Sequence, residues 1–255
     1  MKDSRRDFLK KGVLAGVGAL MIPELAKAVV HEQQSVSASK ITLKKDAVIL
    51  MQGDSITDAG RTHGNNSCNT QEQLGFGYSL YIATQLLAKY ANKQLKIYNR
   101  GISGNKVFEL RDRWEMECLA FQPDVLSILI GVNDYWHTLG GGYKGTAEIY
   151  ENDYRALLKY TKEKSPNTQF VICEPFALTG GSAIENERWF PMFDEYRTIA
   201  KKLASEFKAV FVPFQSGFDA AMKQAPARYW AYDGVHPGLP GRQLMANMWL
   251  EATGL

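Results

Sequence analysis

The chain has few cysteines and no cluster of metal-binding side chains. Its 255 residues include only three cysteines, at positions 68, 118 and 173, and no C-x-x-C motif or His/Cys cluster occurs. Zinc sites of the usual spacing are therefore excluded, and the sequence predicts neither a metal nor another cofactor. Cys173 lies within an apolar, strand-like run and is expected to be buried. Whether Cys68 and Cys118 form a disulfide is left open.

Long apolar runs are also absent. The N-terminal apolar stretch, residues 13–22, has about half of the ~20 residues that a membrane-spanning helix requires. It follows the paired Arg5 and Arg6 and precedes Ala26-Lys27-Ala28. Basic, weakly apolar and small-residue segments in this order resemble a cleaved twin-arginine export signal. We therefore expect residues 1–28 to be removed and the protein to be periplasmic or secreted, with an amphipathic helix or an uncleaved anchor as the alternative.

The remaining domain lacks an excess of either charge. The whole chain carries 30 basic and 27 acidic residues, and loss of the predicted signal removes six and three of these, which leaves 24 of each. A neutral domain has no electrostatic footprint for nucleic acid or for an anionic membrane. We expect no nucleic-acid partner and no stable membrane insertion after signal removal. The oligomeric state does not follow from the sequence.

Short apolar runs alternate with amphipathic patterns along residues 29–255, without a repeat or linker. The apolar runs cover residues 47–51, 96–98, 125–130, 169–173 and 209–213. Continuous apolarity is typical of strands buried on both faces of a parallel sheet. Helical spacing occurs in the sets Val107, Leu110, Trp114 and Cys118; Tyr150, Tyr154, Leu157 and Leu158; and Phe193, Tyr196, Ala200, Leu203 and Phe207, and a last helix is expected from near Gly241. The alternation predicts a single α/β domain with a doubly wound sheet, whose ligands bind beyond the carboxyl ends of the strands.

Four polar or glycine-rich motifs fall at that edge. They are Gly53-Asp54-Ser55 after the first run, Gly104 after the second, Gly131-Val132-Asn133-Asp134 after the third, and Asp233-Gly234-Val235-His236 near the C-terminus. Taken singly, each has a structural explanation as a turn, a positive-φ loop, a helix cap or a structural histidine. Their common location at one edge favours a functional site.

Together the four motifs resemble the sequence blocks of the SGNH, or GDSL, hydrolase superfamily across nearly the whole domain. The one departure is Ile56, which stands where the name-giving motif has leucine. The resemblance implies a three-layer α/β/α sandwich with a five-stranded parallel sheet, similar to flavodoxin, and a serine esterase activity. This site differs from that of the common α/β-hydrolases, because no Gly-x-Ser-x-Gly elbow is present.

The same residues suit acyl transfer on chemical grounds. Ser55 is the candidate nucleophile, His236 its general base, and Asp233 the carboxylate that orients the imidazole from three residues away. The backbone N–H groups of Ser55 and Gly104 and the side-chain amide of Asn133 are the candidate oxyanion-hole donors. Asp54 is expected to stabilise the turn and Asp134 to be structural.

The substrate is predicted from aromatic and polar residues near the strand ends. Candidate substrate-binding residues are Arg100, Tyr135, Trp136, Glu174, Trp189 and Trp230. Aromatic faces and hydrogen-bonding side chains suit a sugar, although burial in the core is an equal explanation for the tryptophans. The layout resembles the carbohydrate (acetylxylan) esterase branch of the superfamily, which implies removal of acetyl groups from a small-molecule or oligosaccharide ester. The alternatives are a lysophospholipase or thioesterase, and a carbohydrate-binding protein without catalysis.

Overall fold

The computed structural model describes residues 21–33 and 40–255. Most of the predicted export signal therefore lies outside the described residues. Its last eight positions, 21–28, belong to the beginning of a described segment, and the predicted cleavage point after Ala28 falls inside a helix of that segment.

Five parallel strands form one sheet, as predicted. The strands are β1 (Val48–Gly53), β2 (Lys96–Asn99), β3 (Val125–Leu129), β4 (Gln169–Cys173) and β5 (Val210–Val212). Their order across the sheet is β2-β1-β3-β4-β5, with every neighbouring pair parallel. Nearly all residues of β1, β3 and β4 are buried, because helices cover both faces and leave no polar side of the sheet.

Thirteen α-helices are present in the described ranges. They are α1 (Ile22–Gln33), α2 (Ser55–Asp58), α3 (Gln71–Leu74), α4 (Tyr78–Lys89), α5 (Val107–Asp112), α6 (Trp114–Glu117), α7 (Val132–Leu139), α8 (Ala147–Lys164), α9 (Asn186–Trp189), α10 (Met192–Glu206), α11 (Phe214–Ala221), α12 (Ala227–Trp230) and α13 (Leu239–Thr253). Helices α1, α4, α11 and α13 pack together on one side of the sheet, and α5, α8 and α10 pack together on the other. The result is the predicted α/β/α sandwich.

Most helices agree with the periodicity of the sequence. Helix α8 buries Tyr150, Tyr154, Leu157 and Leu158, and α10 buries the first four residues of its predicted apolar face. Helix α13 begins at Leu239, two residues before the expected start, because Pro240 fits the first turn of a helix. The pattern from Val107 to Cys118 is interrupted, since α5 and α6 are separate helices that meet at Arg113.

Helix α1 packs against the C-terminal helix α13 and against α11. It buries Leu25, Ala26, Val29 and Val30, and His31 Nε2 lies 3.0 Å from Glu251 Oε1 on α13. Among the helices of residues 21–33 and 40–255, none combines the length and apolar composition that crossing a bilayer requires.

Candidate active site

Ser55 is the first residue of helix α2, directly after strand β1. Asp54 caps this short helix, because its Oδ1 accepts the backbone N–H of Ile56 at 2.9 Å. The carboxyl end of β1 lies beside the end of β3, where Gly53 is in register with Leu129. This placement brings the Ser55 side chain to the edge of the sheet that the sequence predicts for ligands.

Ser55, His236 and Asp233 form a continuous chain of hydrogen bonds. Ser55 Oγ lies 2.8 Å from His236 Nε2, and His236 Nδ1 lies 2.6 Å from Asp233 Oδ2. The other carboxylate oxygen, Asp233 Oδ1, accepts the backbone N–H groups of Val235 and His236 at 2.9 and 2.7 Å. The His236 side chain is 45% exposed, so a substrate can reach the imidazole.

The charge of Asp233 determines which nitrogen of His236 carries the proton. Partial burial opposes ionisation of Asp233, but the hydrogen bonds from His236 and Val235 outweigh it and lower the pKa of Asp233 to about 2. An ionised carboxylate only accepts hydrogen bonds, so Nδ1 of His236 carries the proton and Nε2 accepts from Ser55. The hydrogen bond to Asp233 raises the pKa of His236 against the opposing effect of burial.

The loop that carries Asp233 and His236 is held by the segment after strand β4. The backbone N–H groups of Leu178, Ser182 and Ala183 donate to the carbonyls of Gly234, Tyr232 and Asp233 at 2.8, 3.1 and 3.0 Å. The two segments approach so closely that a Cβ on Gly181 would lie 2.3 Å from Gly234 Cα. We call residues 178–183 the support segment.

The loop after β2 lies against both the turn that carries Ser55 and helix α7. The Ile102 N–H donates to the Gly53 carbonyl at 3.0 Å, and the hydroxyl of Ser103 donates to Asp58 Oδ2 at 2.7 Å. Gly104 has φ of +84°, a conformation that disfavours residues with a side chain. The Asn133 amide donates to the Asn105 carbonyl at 3.2 Å, which places it beside the residue that follows Gly104.

Two buried carboxyl groups lie beneath these elements. Asp134 Oδ1 accepts the backbone N–H of Val107 at 3.0 Å and so connects α7 with the start of α5. Burial raises the pKa of both Asp54 and Asp134 to about 7, against the lowering effect of the Ile56 and Val107 N–H groups. Both residues have the structural contacts that the sequence analysis expected of them.

A cleft of about 790 Å³ opens beside Trp136, whose ring centre lies 6.4 Å from that of His236. Its walls include Lys106, Phe108, Trp136, His137, Tyr143, Glu185, Arg188 and Trp189. Trp136 and Trp189 were predicted to contact substrate, and both line this cleft. Lys106 and Arg188 were missed, although Lys106 follows Gly104 by only two residues and so belongs to the same strand-end loop.

A second and smaller cavity, of about 100 Å³, borders Ser55 and His236 directly. Its lining includes the apolar side chains of Ile56, Ala59 and Met245, together with Tyr78 and Arg242. Ser55 and His236 therefore border the small cavity, and Trp136, which lies beside His236, lines the large cleft.

The structure does not bring the other predicted substrate-binding residues to the cleft. Arg100 is buried in an ion pair with Glu117, and Glu174 is buried between Arg197 Nε, at 3.1 Å, and the Gln215 N–H, at 3.0 Å. Trp230 and Tyr135 are also buried, with their polar atoms donating to the carbonyls of Ala225 and Arg188. Burying an unpaired polar group is costly, so the polar atoms of these side chains form hydrogen bonds or ion pairs within the protein. They are therefore not available to a substrate in the cleft.

The described residues contain no group of three or more His, Cys, Asp or Glu side chains that could hold a metal ion. All three cysteines are free thiols in the structure, with Cys118 and Cys173 buried and Cys68 half-buried. Burial at Cys173 is as predicted, and the pairing left open for Cys68 and Cys118 is not formed.

Comparison with known proteins identifies the family. A profile of the GDSL-like lipase/acylhydrolase family matches residues 52–244. The chain belongs to this family. It is therefore a serine carboxylic-ester hydrolase with the GDSL/SGNH fold, as the four sequence motifs indicated.

Similar proteins include carbohydrate esterases. An acetylxylan esterase from Geobacillus stearothermophilus is 33% identical over 210 residues, which cover 81% of this chain and 93% of that protein. The crystal structure of Axe2, an acetylxylan esterase from the same organism, has a TM-score of 0.75 and 31% identity, and covers 84% of this chain and 97% of that chain. A structure reported as that of a GDSL-like lipase from Parabacteroides merdae ATCC 43184 is 73% identical, with a TM-score of 0.84 over 85% of this chain and 99% of that chain.

Proposed function

We propose that this GDSL esterase removes acetyl groups from the hydroxyls of carbohydrates derived from plant polysaccharides. The observation that carries the proposal is the chain of hydrogen bonds from Ser55 through His236 to Asp233, beside a cleft with aromatic and polar walls. The similarity to acetylxylan esterases supports the choice of a carbohydrate ester.

Ser55 acts as the nucleophile in this proposal. Its Oγ attacks the acetyl carbon while its proton passes to His236 Nε2, and the ionised Asp233 stabilises the imidazolium that forms. His236 then donates this proton to the departing sugar oxygen, and the acetyl group remains on Ser55. A water molecule, deprotonated by His236, attacks the acetyl-serine and releases acetate.

Solved variants of Axe2 support these roles. Three structures of that protein are described as catalytic mutants, in which a serine, an aspartate and a histidine are replaced by alanine. The aspartate and the histidine lie three positions apart in Axe2, as Asp233 and His236 do in this chain.

The developing oxyanion is bound by three donors in this proposal: the Ser55 N–H, the Gly104 N–H and the Asn133 amide. The contact of the Asn133 amide with the Asn105 carbonyl supports the assignment, because it brings this donor to the loop that contains Gly104. Donors that are already oriented stabilise the tetrahedral intermediate without reorganisation during the reaction.

The cleft beside Trp136 is the proposed sugar site. His236 must protonate the leaving oxygen, so the sugar lies on the His236 side of the ester, where Trp136 contributes an aromatic face. The half-exposed Arg188 guanidinium offers donors for sugar hydroxyls. The Lys106 ammonium, held by Glu109 at 2.8 Å and by His137 Nδ1 at 3.3 Å, adds positive charge to the same wall.

The small cavity is the proposed acyl site. A volume of about 100 Å³ accommodates the methyl group of an acetyl ester but no long acyl chain. This observation disfavours the lysophospholipase and thioesterase alternatives, which require a long apolar groove. Membership of a hydrolase family disfavours the alternative of a binding protein without catalysis.

Hydrolysis of paired substrates tests the proposal. We expect acetate release from acetylated xylo-oligosaccharides, and faster cleavage of p-nitrophenyl acetate than of p-nitrophenyl octanoate. Ser55→Ala should abolish both reactions, with Ser67→Ala, a serine of an exposed loop, as the matched control. Full activity of Ser55→Ala would refute the assigned nucleophile, and a preference for octanoate would refute the assigned acyl group.

We also propose export by the twin-arginine-type signal in residues 1–28, which places the enzyme in the periplasm or outside the cell. The paired Arg5 and Arg6 and the Ala26-Lys27-Ala28 segment support it. N-terminal sequencing of protein from the exported fraction should begin at residue 29, and Arg5→Lys with Arg6→Lys should retain the protein in the cytoplasm. Unchanged export of that double variant would refute this route.

A further inference from the structure

The interruption between helices α5 and α6 has a specific side chain at its centre. Arg113 has φ −115° and ψ 8°, which ends α5, and Trp114 begins α6. Although Val107, Leu110, Trp114 and Cys118 are all buried as one helical face would require, the backbone departs from one continuous helix at Arg113. The Arg113 side chain extends towards the carboxyl ends of β1 and β2.

The guanidinium of Arg113 joins three segments of the active-site edge. Nη1 donates to Gln52 Oε1 at 3.0 Å and to the Arg100 carbonyl at 2.8 Å, which are contacts with the ends of β1 and β2. Nη2 donates to the Gly53 carbonyl at 3.3 Å, and Nε donates to Asn105 Oδ1 at 2.8 Å. One planar group therefore holds the strand before Ser55 and the loop that contains Gly104.

These contacts continue directly into the proposed catalytic groups. The Gly53 carbonyl lies two residues before Ser55, and it also accepts the Ile102 N–H at 3.0 Å. Asn105, which accepts from Arg113 through its side chain, accepts from the Asn133 amide through its backbone carbonyl. Arg113 is thus connected to Asn133, which carries a proposed oxyanion donor, by two hydrogen bonds that share Asn105.

The chemistry of the site favours arginine over lysine at this position. All four acceptors of Arg113 are neutral, and burial lowers its pKa to about 10, with Glu117 opposing this effect and the nearby Arg61 and Arg100 adding to it. The side chain remains a cation at neutral pH. A lysine ammonium would keep the charge but could not match acceptors in several fixed directions as the planar guanidinium does.

We propose that Arg113 is a positioning residue, which sets the distance between the Ser55 turn and the Gly104–Asn133 oxyanion donors. It contacts neither of the two cavities at the site, so its effect on catalysis is through Gly53 and Asn105. The inference rests on the oxyanion-hole assignment of the proposed function. Small displacements of oriented catalytic groups reduce turnover strongly while substrate binding persists.

The test compares Arg113→Lys with Arg111→Lys. Arg111 lies two residues earlier, is 57% exposed and has its nearest carboxylates only at 3.9 Å, so its replacement should leave activity unchanged. For Arg113→Lys we expect kcat on p-nitrophenyl acetate, normalised to the concentration of titrated active sites, to fall about 10- to 100-fold. The KM should stay within about twofold of the wild-type value. The rate of inactivation by a p-nitrophenyl phosphonate, which forms a similar oxyanion on serine, should fall by a similar factor.

Asn105→Ala provides a second route should Arg113→Lys fold poorly, since it removes one contact and leaves the arginine in place. Its kcat should also fall. The kcat of the double variant should be no lower than that of the less active single variant, because both substitutions disrupt one network. The inference is overturned when the foldable variants keep kcat within twofold, when only the fraction of active sites falls, or when the two losses multiply. Inactive Ser55→Ala and a reduced kcat in Asn133→Ala alongside such a result would leave the proposed function intact. Full activity of Ser55→Ala would refute the proposed nucleophile, and an unchanged kcat in Asn133→Ala would refute the oxyanion-hole assignment on which this inference rests.

Discussion

Asp233 holds His236 at two points, through the ring and through the backbone. Its Oδ2 lies 2.6 Å from the imidazole Nδ1, and its Oδ1 accepts the backbone N–H of His236 at 2.7 Å. The carboxylate therefore determines both the tautomer of His236 and the conformation of the turn that carries it.

This relationship predicts the pH dependence of the reaction. Ser55 can give up its proton only to a neutral imidazole, and the Asp233 hydrogen bond raises the pKa of His236. The value of kcat/KM should therefore rise with pH through a pKa above the ordinary ~6.5 of histidine and fall in acid. In Asp233→Asn the acid limb should move to lower pH, because the charge that raises the pKa is lost, and kcat should fall by about 10⁴-fold.

The measurement is kcat/KM for p-nitrophenyl acetate between pH 5 and pH 9. His31→Gln, a change at an exposed histidine on helix α1, is the control and should leave the profile unchanged. An acid limb that stays in place in Asp233→Asn would contradict the assigned pair.

Asn133 should contribute to turnover and little to substrate binding. Its amide is the one side-chain donor proposed for the oxyanion hole, so Asn133→Ala should reduce kcat by about 10²- to 10³-fold with KM nearly unchanged. Steady-state kinetics on p-nitrophenyl acetate measures this split, with Asn152→Ala on the exposed surface of α8 as the control. A variant in which only KM changes would argue against an oxyanion contact.

Trp136 should distinguish sugar esters from simple esters. Loss of its aromatic face in Trp136→Ala should lower kcat/KM for an acetylated xylo-oligosaccharide about tenfold, since ring stacking contributes on the order of 1 kcal/mol. Cleavage of p-nitrophenyl acetate should change less, and Trp136→Phe should recover part of the loss. Equal losses on both substrates would place the sugar elsewhere.

The backbone conformation of Ala59 predicts that a substitution close to Ser55 will stabilise the protein. It ends helix α2 with φ 44° and ψ 40°, a left-handed conformation that costs an alanine roughly 1–2 kcal/mol. Ala59→Gly should therefore raise the free energy of unfolding by about 1 kcal/mol, as measured by urea denaturation. The opposite sign is expected for Ala156→Gly in the exposed interior of helix α8, which loses about 0.5–1 kcal/mol.

The buried carboxyl of Asp54 should make the free energy of unfolding depend on pH. A carboxyl whose pKa rises from 3.8 to about 7 on folding binds a proton more tightly in the folded state, so its contribution to stability decreases as pH rises from about 4 to 7. Asp54→Asn stays neutral and still offers an oxygen to the Ile56 N–H. The free energy of unfolding of Asp54→Asn, measured relative to wild type by urea denaturation, should increase by on the order of 2–4 kcal/mol between pH 4.5 and pH 8. A difference between the two proteins that is independent of pH would show that Asp54 is ionised in the fold.

The sequence predicts those features that depend on residues close together along the chain. Strand β4 has the predicted bounds, because its continuous apolar run reflects burial on both faces. The Asp233–His236 contact is likewise local, since three residues of one turn separate the partners. The contact of Ser55 with His236 spans 181 positions, so only the strand-edge rule and the family resemblance could anticipate it.

Long-range pairing explains what the sequence did not reveal. Glu174 follows strand β4 as a ligand-binding residue would, but its carboxylate is occupied by Arg197 on helix α10. Trp136 and Trp230 both lie in loops or short helices near the site, and only the packing of neighbouring elements places the first in the cleft and the second in the interior. The role inferred for Arg113 depends on three segments that are distant in sequence, so no local pattern indicates it.

The support segment means that the proposed nucleophile and its proposed base are attached to different parts of the protein. Ser55 follows a central strand, whereas the loop of His236 is held in part by three backbone hydrogen bonds from residues 178–183. Opening of those bonds would loosen the loop and weaken the contact of His236 with Ser55, while the imidazole–carboxylate pair and the sheet stay intact. Thermal loss of esterase activity would then begin as a local and reversible event, at temperatures below the cooperative melting of the domain.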